Sequence, residues 1–150
     1  MIKVCILSTV HSPFDIRIFQ KEAKSLVKAG YDVTLIAQHD REEIVDGVKI
    51  INLQRPRNRI ERMTKRVWSV YRNALKVNAK IYHFHDSELI PIGILLRLQG
   101  KKVVYDVHED VPKDIQLKLW MPVLIRNVVS KSISLIETFA SKILSGLISA

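Results

Sequence analysis

Short apolar runs alternate along this chain with longer stretches in which apolar residues recur every three or four positions. The run "KVCILS" is continuous and short, as a buried strand is, and the segment from Phe14 to Ala29 places Ile18, Phe19, Ala23, Leu26 and Val27 at helical spacing. Ser12 with Pro13 predicts the start of that helix, because a serine hydroxyl caps exposed N–H groups and proline suits a first turn; Gly30 predicts its end. "YDVTLIA" reads as a second strand and "GVKIINL", after Asp46-Gly47, as a third. Ile60, Met63, Val67, Tyr71, Ala74 and Leu75 predict a second helix with a basic opposite face. "KIYHFH" is a fourth strand, Ser87 to Leu98 a third helix, "KKVVYDV" a fifth strand, Pro122 to Lys142 a long final helix, and "SGLISA" the start of one more strand.

This alternation predicts an α/β fold, a mostly parallel sheet with helices on both faces. Ligands in such folds bind beyond the carboxyl ends of the strands, near the point where strand order reverses. At 150 residues, 47% of them hydrophobic, the chain has the size and core material of one domain. It carries no internal repeat, low-complexity segment or interior linker, and its apolar ending "LISA" suggests a longer protein. The one cysteine, Cys5, excludes a disulfide framework and predicts a buried thiol in a reducing compartment. The start has no signal-peptide pattern and no apolar stretch is long enough to span a bilayer, so a cytoplasmic location is expected.

Charge changes the picture in one place. The formal net charge is +9, and from Arg55 to Lys76 eight Lys or Arg accompany a single Glu. Arg57, Arg59, Arg62, Lys65 and Arg66 are the centre of this block, which would attract nucleic acid, anionic lipid or a phosphorylated ligand. Within it Trp68 could stack on bases or sit at a lipid interface, whereas Tyr71 falls on the apolar stripe and reads as core. Further on, "IQLKLWMPVLIRNVVSKSI" reads as an amphipathic segment packing on the sheet, with a membrane-surface contact as the alternative.

Three strand ends carry residues capable of chemistry: "STVHSPFDIR", "HFHDSE" and "DVHED". In a parallel sheet these ends converge, so His11, Asp15, Arg17, His85, Asp86, His108 and Glu109 could line one crevice. Taken singly, Asp86 and Asp110 read better as helix caps, and His83 with His85, which share a strand face, as structural histidines. His-x-His with nearby carboxylates could bind zinc, but "HFHD" lacks the further downstream ligands of a zinc hydrolase, and no metal is expected. No G-x-G-x-x-G and no Walker-type loop follows any strand, so a nucleotide would be held another way or by another domain.

Together "HSPFDIRIFQKEAKSLVKAGYDVTLIA", "YHFHDSELIPIG" and "VVYDVHEDVP" resemble the amino-terminal domain of GT-B-fold glycosyltransferases of family 4, also called group 1. The resemblance runs in order over nearly the whole chain. It implies that residues 1–150 are a Rossmann-like three-layer α/β/α domain, the acceptor-side half of a GT-B fold. The donor-binding carboxy-terminal domain, with its two glutamates eight apart, has no counterpart in this chain. It further implies a retaining transfer of a sugar from a nucleotide-sugar donor, with no other cofactor, to a glycan or lipid-linked acceptor in cell-surface polysaccharide or glycolipid assembly, and an isolated domain inactive alone. By the same resemblance His108 stands beside the transferred sugar with Glu109 adjoining, and His11, Asp15 and Arg17 replace the Gly-Gly pair that many relatives carry in the first loop. The basic block would then meet an acceptor's pyrophosphate or an anionic membrane, placing the protein on the inner face of the plasma membrane; nucleic acid is not expected. Two rivals stand beside this reading: a non-enzymatic anion-binding module acting on membrane or nucleic acid, and a metal hydrolase using His83 and His85.

Overall fold

The computed structural model describes residues 1–107 and 122–149. Strand β1 (Lys3–Leu7) leads into helix α1, which opens in wide π-type turns over Ile16–Ala23 and closes in α-helical ones over Lys24–Lys28. Then come β2 (Asp32–Gln38), the short β3 (Glu43–Val45) and β4 (Val48–Leu53). Helix α2 is built from Arg59–Glu61, a π-type segment Arg62–Arg66, and Val67–Val77. Strand β5 (Ile81–Phe84) precedes α3, a 3₁₀ turn Ser87–Leu89 continued by Ile90–Leu98, and β6 (Lys102–Val107) follows. Helix α4 (Val123–Ile143) and β7 (Gly146–Ser149) complete the described chain.

Among the described residues the strands form one sheet in the order β3-β4-β2-β1-β5-β6-β7, parallel throughout except for β3 against β4. The chain builds outward from β1 first to one side and then to the other, so the order reverses between β1 and β5, which pair directly. Helices cover both faces. Ile18, Phe19 and Ala23 of α1 pack on Ile6, Val33, Leu35 and Ile50, while α2, α3 and Ala140 of α4 pack on Cys5, Leu7, Tyr82, Phe84, Val103 and Tyr105. The expected three-layer, mostly parallel α/β architecture is the observed one. Cys5 is fully buried, and burial raises its thiol far above the ordinary value.

Several local expectations need correction. Helix α1 starts at Ile16 and is capped by Asp15, whose Oδ1 accepts the N–H groups of Arg17 and Ile18 at 2.8 and 3.1 Å; Ser12 does not cap it. The strand β3 was not legible, because three residues are too few for a period; a two-residue turn at Asp46 (φ 50) and Gly47 (φ 80) makes the hairpin. In α2 the apolar stripe is rephased. Ile60, Met63 and Leu75 stand exposed, while Arg66, Val70 and Ala74 are buried, because the wide segment Arg62–Arg66 shifts the side-chain phase that a uniform 3.6-residue period assumes. Gly93 of α3 permits a close approach to the sheet, where a Cβ would stand 2.6 Å from the Phe84 ring.

Candidate active site at the carboxyl ends of the central strands

The site begins with one register rule. Tyr82 and Phe84 of β5 face the α2–α3 side, so His83 and the following His85 must face α1, as must Asp106 on β6 when Tyr105 faces the other way. Helix α1 meets them with Arg17 and Glu22. Five residues separate these two, about 140° apart on a regular α-helix, and the π-type turns of Ile16–Ala23 bring them onto one side.

Arg17 grips Asp106 by two nitrogens: Nε donates to Oδ2 at 3.1 Å, and Nη2 lies 2.7 and 2.9 Å from Oδ1 and Oδ2. Its Nε also lies 3.7 Å from Glu22 Oε1. His85, wholly buried at its side chain, sits between the two carboxylates, Nε2 at 3.1 Å from Glu22 Oε2 and Nδ1 at 3.5 Å from Asp106 Oδ2. His83 Nδ1 lies 3.5 Å from Glu22 Oε2 and Nε2 4.0 Å from Asp106 Oδ2, and the two imidazole centroids are 4.7 Å apart. Burial, reinforced by the neighbouring His85, pulls His83 below the ordinary histidine value despite both carboxylates.

A second group organises the loop after β1. Asp86 was expected to cap the helix that follows it, yet its side chain makes no such bond. Instead its Oδ2 accepts from the Ser8 hydroxyl at 3.0 Å and from the Thr9 N–H at 2.6 Å, and Ser8 Oγ in turn accepts the His11 N–H at 3.1 Å. The Thr9 hydroxyl donates to Glu88, Glu88 pairs with Arg62 Nε at 3.1 Å, and Gln38 donates to the Thr9 carbonyl at 2.6 Å. His11 Nε2 lies 3.6 Å from Asp86 Oδ1 and its Nδ1 4.0 Å from Asp15 Oδ2. For Asp15 partial burial acts to raise the pKa, but the Ile18 and Arg17 N–H donors and His11 outweigh it and hold the carboxyl below its usual value.

The structure therefore brings together His11, Asp15, Arg17, His85 and Asp86. To these it adds Ser8, Thr9, Glu22, His83, Glu88 and Asp106, which strand-end reasoning did not assign to the crevice. His108, Glu109 and Asp110 lie outside the described residues. Glu22, His83, His85 and Asp106 each offer one ligand atom, all within 4.8 Å of one another. Tetrahedral zinc, with bonds of about 2.0–2.2 Å, needs its ligands roughly 3.3–3.6 Å apart. Both oxygens of Asp106 already accept from Arg17, so a guanidinium holds that corner of the cluster.

The basic block takes up a separate position. Arg62 points to Glu88, whereas Arg66 is 4% exposed and turned inward. Burial lowers its pKa, with Glu61 and Glu88 opposing. Arg55, Arg57, Lys65 and Arg66 line a cavity of about 410 Å³ next to the end of β4. Arg59 begins α2.

A doubly wound parallel domain with an ionisable, hydrogen-bonded cluster at its switch point has the layout of a small-molecule-binding or catalytic α/β domain. Residues 17–135, more than half of the chain, match the family model of Glycosyltransferase Family 4, and the chain belongs to that family. Its fold is similar to that of sucrose-phosphate synthase from Thermosynechococcus elongatus, with a TM-score of 0.66 at 17% identity; the match covers 100% of this chain and 47% of that one. A second structure of sucrose-phosphate synthase from the same organism matches 76% of this chain and 67% of its own, with a TM-score of 0.55 at 17% identity. No curated protein sequence matches the chain. The chain thus spans about half the length of the first of these structures, and it is a Rossmann-like, GT-B-type domain fitting the amino-terminal side of the family.

Proposed function

We propose that this domain is the acceptor side of a retaining glycosyltransferase that moves a hexose from a nucleotide-sugar donor to a glycan or lipid-linked acceptor, and that it is inactive without a donor-binding domain. The observation that carries the reading is the Arg17–Asp106–His85–Glu22 cluster at the switch point, fixed by contacts from three separate elements. A retaining transfer develops positive charge on the sugar and negative charge on the departing diphosphate, so the protein mainly has to supply preorganised donors and fixed charges. Arg17, held by Asp106 and one-third exposed, is placed to offer a cation at the crevice. His11, ordered by Asp86 and partly exposed, offers a hydrogen-bond donor for a sugar hydroxyl, while the buried His85 holds Glu22 and Asp106 in place beneath the crevice. Asp15 and Asp86 position the first loop rather than reach outward. His108 and Glu109 remain the residues proposed to stand beside the transferred sugar, by family resemblance. The departing phosphate can take the acceptor's proton, so no metal or other cofactor is assigned.

The same proposal places the protein in the cytoplasm, at the inner face of the plasma membrane. No helix among the described residues is long and apolar enough to cross a membrane. Ile60, Met63 and Trp68 stand exposed on α2 beside its Arg and Lys side chains, a composition suited to an anionic lipid surface. The test is transfer of label from nucleotide sugars to a lipid-linked acceptor by the full-length polypeptide. The expected result is turnover that His108→Ala removes while the fold persists; turnover unchanged in that variant would remove His108 from the mechanism. A non-enzymatic anion-binding module would instead show steeply salt-dependent binding indifferent to His108 and Arg17.

A further inference from the structure

The basic block is not wholly a surface feature, because Arg66 turns inward from it. Arg66 is 4% exposed, its Nη1 is buried without a hydrogen-bond partner, and it makes no ion pair among the described residues. A guanidinium is expensive to hold in that state, because desolvation is offset only when donors are met by acceptors of opposite charge. Around it, Arg55, Arg57 and Lys65 add three more cations and Ser69 a hydroxyl to the wall of the cavity of about 410 Å³, within the range of small-ligand pockets. The single carboxylate in the wall, Glu61, opposes the cost of burying Arg66 only in part and forms no ion pair with it among the described residues. Glu61 accepts the Arg57 N–H through Oε2 at 2.7 Å, while its own N–H is accepted by Asn58 Oδ1 at 2.8 Å, a reciprocal cap on the start of α2.

We infer that this cavity is a binding site for a phosphate group, as a phosphomonoester or diphosphate, with the Arg66 guanidinium as its base. Guanidinium and phosphate match in charge and in forked hydrogen-bond geometry. The cavity lies beyond Leu53, the carboxyl end of β4, and β4 runs parallel to β2, β2 to β1 and β1 to β5, so it opens on the same edge of the sheet as the Arg17–Asp106 cluster. Arg62, one turn before Arg66, reaches Glu88 and through it Thr9 and Asp86. If the transferase reading holds, the phosphate belongs to the acceptor and orients its reactive hydroxyl toward the crevice; this attribution rests on that reading, and the binding site does not.

The test uses the 150-residue chain with inorganic phosphate, inorganic pyrophosphate and glucose 6-phosphate as probes, followed by calorimetry and by thermal unfolding. Wild type should bind and be stabilised by at least one probe, Arg66→Gln should bind at least about tenfold more weakly, and Lys65→Gln should lie between them. Arg72→Gln, a cation of the same helix outside the cavity, should bind like wild type. Burial outweighs the opposing Glu61 and Glu88 at this guanidinium, so the unliganded Tm of Arg66→Gln should stay within a few degrees of wild type, which separates lost binding from lost folding. Binding unchanged in Arg66→Gln, or lost equally in Arg72→Gln, would overturn the site. The source of the phosphate is read from vesicles: phosphatidylcholine carrying a polyprenyl diphosphate should capture wild type and not Arg66→Gln if the ligand is lipid-linked. Probe binding without such capture assigns a soluble phosphorylated ligand, and equal capture of both proteins by phosphatidylserine vesicles, with no probe bound, contradicts the cavity. Phosphate binding with no sugar transfer by the full-length protein would leave the site standing and remove the transferase reading, and the converse would do the reverse.

Discussion

Replacing Arg17 by alanine should be among the more damaging single changes in this chain, for a reason that lies on its partner. Asp106 is almost completely buried, and both its oxygens accept from Arg17 at 2.7–3.1 Å. Without the guanidinium a carboxylate is left in the protein interior. Removing one member of a buried ion pair costs about 3–5 kcal/mol, and since Arg17 is 36% exposed, water screens part of its charge and the lower end, about 3 kcal/mol, is expected. For a chain of this length each kcal/mol moves Tm by about 2–4 °C, so Arg17→Ala should melt roughly 6–12 °C below wild type. Asp106→Asn should lose a similar amount, while the double variant, which strands no charge, should regain at least about 1 kcal/mol over the sum of the singles. Thermal and urea unfolding of the four proteins, followed by circular dichroism, gives the cycle. Additivity within about 0.5 kcal/mol would show that the pair is not the energetic unit described.

Other consequences are smaller in scope. Asp15→Ala removes the acceptor for two N–H groups at the start of α1 and should cost about 1 kcal/mol, with Asp15→Asn largely restoring it, measured as Tm. Since the folded pKa of His83 lies below its unfolded value of about 6.5, the unfolded chain binds the extra proton in the window between them. Stability therefore rises with pH through that window and is lost on acidification below about 6.5, and His83→Gln should flatten the dependence of the urea midpoint over roughly pH 5–7.5. Gly93→Ala should destabilise by about 1–2 kcal/mol despite the better helix propensity of alanine, because its Cβ meets a Phe84 ring already stacked on Tyr105; a Tm at or above wild type would refute the close packing.

The sheet and its order of elements were legible because they depend on periods that survive in one sequence: continuous apolar strands, amphipathic helices and the turn signals between them. The convergence of "STVHSPFDIR" and "HFHDSE" followed from strand-end geometry alone. Glu22 was not legible, since at 3.6 residues per turn it lies well away from Arg17 on α1, and only the π-type turns align them. The inward turn of Arg66 was hidden by the same device in α2, with Ile60 and Met63 exposed in the positions that a regular period would bury. Asp86 looked like a cap because it precedes a helix, and nothing in its neighbours reveals that Ser8 and Thr9, far earlier in the chain, take its carboxylate.

The central claim is that the cluster around Arg17, Glu22, His85 and Asp106 serves sugar transfer and is not merely a buried electrostatic joint. Glu22→Gln in the full-length polypeptide tests it most directly, since Glu22 is partly exposed and its amide keeps the shape of the side chain. Turnover with nucleotide-sugar donors should fall by more than about tenfold while Tm moves by only a few degrees. Wild-type turnover in a folded Glu22→Gln protein would contradict the account.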